Sequence, residues 1–368
     1  MVFSKWYQEN RNFSEIIMTK EKTKSIKAVS LISGGLDSLL STKLLIDQGI
    51  HVEGINFFTG FCVEGHTHAI RKQKKDKAKR NNALWVAEQL GVKLHIIDVI
   101  EEYRDVLLNP KYGYGKNMNP CLDCKGFMVK KAKEWMLDND FDFIITGEVI
   151  GQRPMSQRKQ TMPMVQKDSG ADDLLLRPLC AKHLEPTRPE IEGWVDRGKL
   201  LDLSGRNRKP QMALAKKFGF HDYATPAGGC CFLTDKQYSD KLVDMWESRG
   251  NREYELDDLM MLKVGRHIRP NERYKMIIAR EEGEVKFLEG YRNQYTNLYP
   301  TSCKGPLALI DGKPNQKDLK MAARILARYS QGRDREKVDV EVRLDSGVLQ
   351  QFSINPLSAE EVSQDWMI

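Results

Sequence analysis

No stretch of the 368-residue sequence approaches the roughly 18 consecutive apolar residues of a membrane-spanning helix. The N-terminus, MVFSKWYQENRNFSEIIMTKEK, is broken by charges and lacks the apolar core of a secretory signal. Cysteine is sparse and odd in number, seven in all, which argues against a disulfide scaffold. That count fits a reducing compartment, so a cytoplasmic location is expected, and clustered thiols there more often bind metal or do chemistry. Charge of neither sign is segregated: of the net +7, residues 263–368 carry +3. The charge is thus a weak pointer to a polyanion, and local clusters must carry that case. Repeats and low-complexity tracts are absent. With 40% hydrophobic and 30% charged residues, the chain has the makings of a soluble folded protein rather than a disordered one.

What is present alternates. KAVSLIS from Lys27 reads as a strand, and after a Gly-rich turn DSLLSTKLLIDQG has helical spacing and stops at Gly49. VEGINFF, KLHIIDVI and FDFIITG read as further strands, with NNALWVAEQLG and FMVKKAKEWMLDND as the helices between them. Strand–helix alternation means right-handed crossovers and a mainly parallel sheet. DLLLRPL is expected to add a strand, and PTRPEIEGWVDRG and KPQMALAKKFG further helices. The expected organisation is a polar arm over residues 1–25, an α/β unit over 26–240, a bridging helix at DKQYSDKLVDMWESRG, and a smaller α+β domain over 263–368.

The most informative motif is Ser33-Gly34-Gly35-Leu36-Asp37-Ser38, between a strand and a helix. Two glycines permit a tight turn and close approach of a ligand, and the first helical N–H groups have no partner within the helix. With the helix dipole and two hydroxyls, they suit an anion such as pyrophosphate. The loop has neither Walker A nor GxGxxG spacing. It resembles the PP-loop of the ATP pyrophosphatases, a family with a Rossmann-like (HUP-type) parallel sheet that cleaves ATP between its α and β phosphates. The resemblance implies that Ser33, Gly34, Gly35, Asp37 and Ser38 hold ATP and its Mg²⁺, with Asp37 acting through the metal. A second segment, Thr146-Gly147-Glu148-Val149-Ile150-Gly151-Gln152 followed by Ser156-Gln157, resembles the TGE…GQ…SQ stretch of 4-thiouridine synthetases. It places Thr146, Gly147 and Gln152 at the nucleotide, beyond the C-terminal end of a strand, where open α/β sheets bind ligands. LLLRPL and PTRPE extend the likeness, which covers roughly residues 26–235.

Cys121-Leu122-Asp123-Cys124 stands before a helix, and Gly228-Gly229-Cys230-Cys231 follows far along the chain. Their thiols admit a redox pair, a four-thiolate zinc, inert burial, or an iron–sulfur cluster. Thiouridine synthetases of this superfamily that carry a CxxC and a distant cysteine imply the last: Cys121, Cys124 and Cys230 on a [4Fe–4S] cluster, catalytic together with Asp37. The resemblance leaves Cys230 and Cys231 as alternatives for the third ligand. Two departures from the bacterial 4-thiouridine synthetases stand out. The arm before the PP-loop is short for an RNA-binding module, and Cys303 is the lone candidate for a rhodanese-type thiol.

For RNA, Arg71 to Arg80 holds seven basic residues in ten positions, and Arg206, Arg208, Lys209, Lys216 and Lys217 add more. VGRHIRPNERYKMIIAREEGE resembles the RNA-binding domain of NFACT-type ribosome quality-control proteins, with Arg266, His267, Arg269 and Arg273 as its basic cluster. The resulting expectation is an ATP-dependent tRNA sulfurtransferase that adenylates a uridine carbonyl oxygen and replaces it with sulfur. Its partners would be tRNA and a sulfur donor, either sulfide or a cysteine desulfurase system; a homodimer is allowed and a membrane is not. The competing readings are a PP-loop amidotransferase or ligase acting on a small molecule, and a non-catalytic RNA-binding factor with a degenerate nucleotide fold. The first lacks a recognisable ammonia source, and the second is at odds with an intact loop. The modified position, O2 or O4 of uracil, is open.

Overall fold

The computed structural model describes residues 25–63, 80–224 and 230–368. The N-terminal arm up to residue 24, the basic run at 71–79 and residues 225–229 lie outside them.

The first half is built on five parallel strands: β1 (Lys27–Leu31), β2 (His51–Phe58), β3 (Leu94–Asp98), β4 (Phe143–Ile145) and β5 (Leu175–Leu176), in the order β3-β2-β1-β4-β5. Helices α1 (Leu36–Ile46), α2 (Asn82–Leu90), α3 (Ile100–Leu108), α4 (Cys121–Asp138), α5 (Thr161–Asp168), the single turn α6 (Arg188–Ile191) and α7 (Lys209–Lys217) accompany them. Two apolar clusters sandwich the sheet. One packs Leu39, Leu40 and Ala215 against Ala28 and Phe143; the other packs Val129, Ala132 and Met136 against Val29 and Ile144. Consecutive residues of β1 and of β4 therefore feed opposite layers, as the period of two dictates.

α2 shows why the helices stand where the sequence places them. Asn81 Oδ1 accepts from the N–H groups of Ala83 (2.9 Å) and Leu84 (3.2 Å), and Gly91 closes the helix in the left-handed region at φ 65°. Two expectations shift. The PTRPEIEGWVDRG stretch yields only one helical turn, capped by Thr187 and Glu190, because Gly193 at φ 69° stops it. The CxxC does not precede its helix but forms the first turn, since α4 begins at Cys121.

The second half is a six-stranded antiparallel sheet with order β11-β10-β8-β9-β7-β6. Its strands are β6 (Arg266–Asn271), β7 (Tyr274–Ile278), β8 (Thr296–Pro300), β9 (Ala308–Gly312), β10 (Val338–Arg343) and β11 (Leu349–Ile354). α8 (Lys236–Arg249), α9 (Leu256–Met261), α10 (Glu282–Glu289) and α11 (Gln316–Arg328) complete the chain, α11 burying Leu319, Ala322, Ala323 and Leu326 against one sheet face. β8 is not apparent in the sequence, where TNLYP has little periodicity.

α8 joins the halves. Leu242, Met245 and Trp246 pack with Phe61, Tyr103 and Leu107 of the first half. Asp244 accepts from Arg269 Nη2 at 2.9 Å and Lys275 Nζ at 3.2 Å in the second. Lys263 Nζ crosses back to donate to Gly60 O at 2.7 Å. Lys275 is only 1% exposed, and Asp244 together with Asp311, 3.7 Å from its Nζ, supplies the counter-charge that makes its burial tolerable. Asp244→Ala, which leaves Arg269 without its carboxylate and Lys275 with Asp311 alone, is therefore expected to cost about 3 kcal/mol in urea unfolding of the whole chain.

Candidate functional site

β1 has neighbours on both sides, β2 toward one edge and β4 toward the other. The loops that leave β1 and β4 consequently diverge over an open crevice at their C-terminal ends, the place where open α/β sheets hold ligands. Residues 33–38 and 146–152 are these two loops. In the first, Gly34 takes φ +80°, and a Cβ there would stand 2.7 Å from Ala83 N at the start of α2. Gly35 caps α1 in extended geometry and supplies no side-chain cap to the first helical N–H groups, and it pairs with Ala224 in an isolated parallel bridge. Ser38 Oγ donates back to Gly35 O at 2.8 Å, and Ser33 is exposed.

The second loop lies directly on the first. A Cβ on Gly147 would fall 2.5 Å from Asp37 C and 2.6 Å from Ser38 N, so only glycine fits. Gln152 Nε2 donates to Asp37 Oδ2 at 2.7 Å, and Gln211 Nε2 of α7 holds Gln152 Oε1 at 3.0 Å. Arg208 Nη2 stands 3.0 Å from the same Asp37 oxygen. The other oxygen, Asp37 Oδ1, is buried with no partner among the described residues. A hard cation takes such an oxygen readily, so the loop fits Mg²⁺. Arg208, expected to grip RNA, thus lies at the nucleotide loop, where a guanidinium also suits phosphate.

Behind the loop Thr146 is spent internally, its hydroxyl donating to Glu148 Oε2 at 2.9 Å. Arg177 Nε reaches that oxygen at 3.1 Å and Lys125 Nζ, next to Cys124, lies 3.7 Å away. Burial pushes the Glu148 carboxyl up, but Lys125 and Arg177 outweigh it and hold the group below the usual carboxylate range. Cys180 adds a thiol hydrogen bond to Glu148 O at 3.2 Å.

The same segment touches the CxxC. Cys121 Sγ donates to Ser156 Oγ at 3.6 Å, which ties the first turn of α4 to the loop that carries Gln152. Around Cys124, burial and then the neighbouring thiols Cys230, Cys121 and Cys62 push its thiol up, while Tyr103 opposes through a hydrogen bond. Cys231 is pushed up in the same way, by burial and then by Cys230 and Cys124. The distant cysteines thus do come beside the CxxC. Among the described residues, however, no three His, Cys, Asp or Glu side chains could hold a single metal ion. The thiols are a soft donor set, of the type that zinc and iron–sulfur clusters both take. Sequence reasoning misses Cys62, because a thiol standing alone in FTGFCVEG gives no spacing signal.

The basic cluster expected in the second half is largely consumed. His267 is buried, with Nε2 3.0 Å from Val264 O; Arg269 pairs with Asp244, and Arg273 with Asp318 at 2.7 Å. Of the four, Arg266 opens onto a groove of about 750 Å³, where Lys304, Arg328 and Arg333 join it. There its guanidinium lies 5.1 Å over the ring of Tyr329.

Residues 26–178 match the family model described as the tRNA methyl transferase HUP domain, and residues 265–367 that of the NFACT protein RNA binding domain. The chain is similar to the tRNA-specific 2-thiouridylase of Stutzerimonas stutzeri, 27% identical over 60% of this chain and 55% of that one. The enzyme of the same name from Treponema denticola is 24% identical over 66% and 63%. The chain spans little more than half the length of most such relatives. Among solved structures, a 4-thiouridine synthetase–RNA complex with bound ATP aligns at 19% identity and TM-score 0.39, over 57% of this chain and 46% of that one.

Glu148→Gln leaves Arg177 buried beside a neutral partner and should destabilise the chain by about 3–5 kcal/mol near neutral pH. The folded carboxyl has the lower pKa, so its contribution is present above the unfolded value of about 4.3 and lost as pH falls through the folded one. Denaturation of both proteins across pH 3–7 should therefore show the gap closing in acid.

Proposed function

We propose that this chain, whose residues 26–178 and 265–367 match a tRNA methyl transferase HUP domain and an NFACT protein RNA binding domain and which is similar to tRNA 2-thiouridylases, is an ATP-dependent tRNA sulfurtransferase. The observation that carries this reading is the continuity of two chemistries. Asp37 of the nucleotide loop binds Gln152, and four residues later Ser156 holds Cys121. A ligase using ammonia has no use for thiols at that position.

ATP would lie with its phosphates on the first-turn N–H groups of α1 and beside Arg208. The uridine carbonyl oxygen attacks the α-phosphorus and pyrophosphate departs, leaving the oxygen as an adenylate. Sulfide then attacks the activated ring carbon and AMP leaves. The N–H groups and Arg208 are fixed before reaction, so stabilising the departing charge needs no reorganisation. Mg²⁺ held by Asp37 Oδ1 would neutralise the β and γ phosphates. Cys121, Cys124 and Cys230 are the residues that would hold a [4Fe–4S] cluster, which supplies an iron corner for the incoming sulfur. Lys304, Arg328 and Arg333 would grip phosphates of the tRNA, with Arg266 on Tyr329 as a platform for an unpaired base.

Asp37→Asn is expected to lower thionucleoside formation by on the order of 10²–10³-fold, as removing one group that stabilises the transition state does. Its tRNA affinity should stay unchanged; thionucleoside mass spectrometry and filter binding measure the two. Unaltered thiolation would defeat the nucleotide assignment. Anaerobically prepared protein should contain iron and absorb as a brown species, and both signals should vanish in Cys124→Ser. Reversing Lys304, Arg328 and Arg333 to Glu should weaken tRNA binding. The slope of log affinity against log salt should flatten by roughly 0.7–0.9 for each phosphate no longer neutralised, with ATP binding intact.

A further inference from the structure

Cys62 belongs to no motif, yet the tertiary structure sets it directly opposite Cys231. Residues 61–63, leaving β2, run antiparallel to residues 230–232. Phe232 N–H donates to Phe61 O at 2.9 Å, and Val63 N–H donates to Cys230 O at 3.3 Å. These two bonds flank Cys62 and Cys231, which makes them a non-hydrogen-bonded antiparallel pair. In such a pair the Cα atoms stand about 4.5 Å apart and the side chains leave on the same face. A disulfide spans Cα separations of roughly 4.4–6.8 Å. The backbone is therefore already at bonding distance, and only side-chain rotation is needed. At present each sulfur faces its own chain: Cys62 Sγ meets Thr59 Oγ1 at 3.4 Å, and Cys231 Sγ accepts from Leu233 N–H at 3.4 Å.

The register also separates the adjacent cysteines. Cys231 is extended, at φ −139° and ψ 141°, so the side chains of 230 and 231 leave on opposite sides. Cys230 is exposed, while Cys231 packs with Phe61, Tyr103 and Leu233.

We propose that Cys62 and Cys231 form a dithiol that closes reversibly into a cross-strand disulfide, a covalent site reactive toward small disulfides and separate from Cys121, Cys124 and Cys230. One thiolate of the pair attacks a sulfur of the small disulfide, giving a mixed disulfide and expelling one small thiolate. The second thiolate attacks the protein sulfur of that mixed disulfide, forming the Cys62–Cys231 bond and expelling the other. Two electrons pass from the protein dithiol to the small disulfide, and the two protons end on the released thiols. Closure fastens the exit of β2 to the segment carrying Cys230 and withdraws Cys231 from the gathered thiols. Cys230 is then the partner left for the CxxC. The pairing follows from register alone and does not depend on the thiolation reading, so it is tested without ATP or RNA.

The full chain, freed of metal by chelation, is incubated with oxidised glutathione, blocked with a maleimide and digested without reduction. The titratable thiols should fall from seven to five. A cross-linked peptide pair should join Cys62 to Cys231 and separate on adding dithiothreitol. The link should persist in Cys230→Ser and be absent in Cys62→Ser and Cys231→Ser. Seven surviving thiols, a stable glutathione adduct without a protein link, or a bond joining Cys121 to Cys124 or Cys62 to Cys230 would each overturn the proposal. The wild-type peptide map decides the matter even where a variant does not fold.

Discussion

The contact on which the site depends is the one between Gly147 and the first turn of α1. With hydrogen as its side chain, residue 147 lies against the backbone of Asp37 and Ser38, a place no Cβ could occupy. Everything beyond it follows in sequence. Glu148 turns inward to Arg177, Gln152 reaches Asp37, and Ser156 meets Cys121. A larger residue would lift the whole segment and separate the phosphate loop from the thiols. Sheet topology makes this contact available, because the loops after β1 and β4 are neighbours only where the strand order reverses.

Buried charge organises the rest. Glu148 lies among Arg177, Lys125 and Thr146, and Asp244 among Arg269 and Lys275. Each group would be costly alone in a low-dielectric interior, and each is tolerable only with its partners placed. Lys263 is the telling case: burial depresses its ammonium to about 8, with Cys62 and Cys231 opposing that shift. Its contacts span the joint between the halves: it donates to Gly60 O and lies 5.0 Å over the ring of Phe232, next to Cys231.

Basic residues in the second half divide by whether a partner already occupies them, which charge counting cannot detect. Arg269, Arg273 and His267 stand close to Arg266 in sequence and look equivalent by charge. Those three are occupied by carboxylates or carbonyls. The groove is made instead from Arg266 together with Lys304, Arg328 and Arg333, drawn from a strand, two loops and a helix end. In the first half Arg208 makes the reverse move, from an expected RNA contact to the carboxylate of the nucleotide loop.

The sequence alone determined the α/β alternation, the strand–turn–helix around Gly34 and Gly35, the segment at 146–152 and the presence of a CxxC. These are local matters: apolar periodicity, glycine conformational freedom and side-chain spacing act over a few residues and can be read in order along the chain. Only the tertiary structure decided that Gln152 and Arg208 serve Asp37, and that Cys62 faces Cys231. The physical reason is that strand order and register bring together residues more than a hundred positions apart. No property of either residue alone records that meeting.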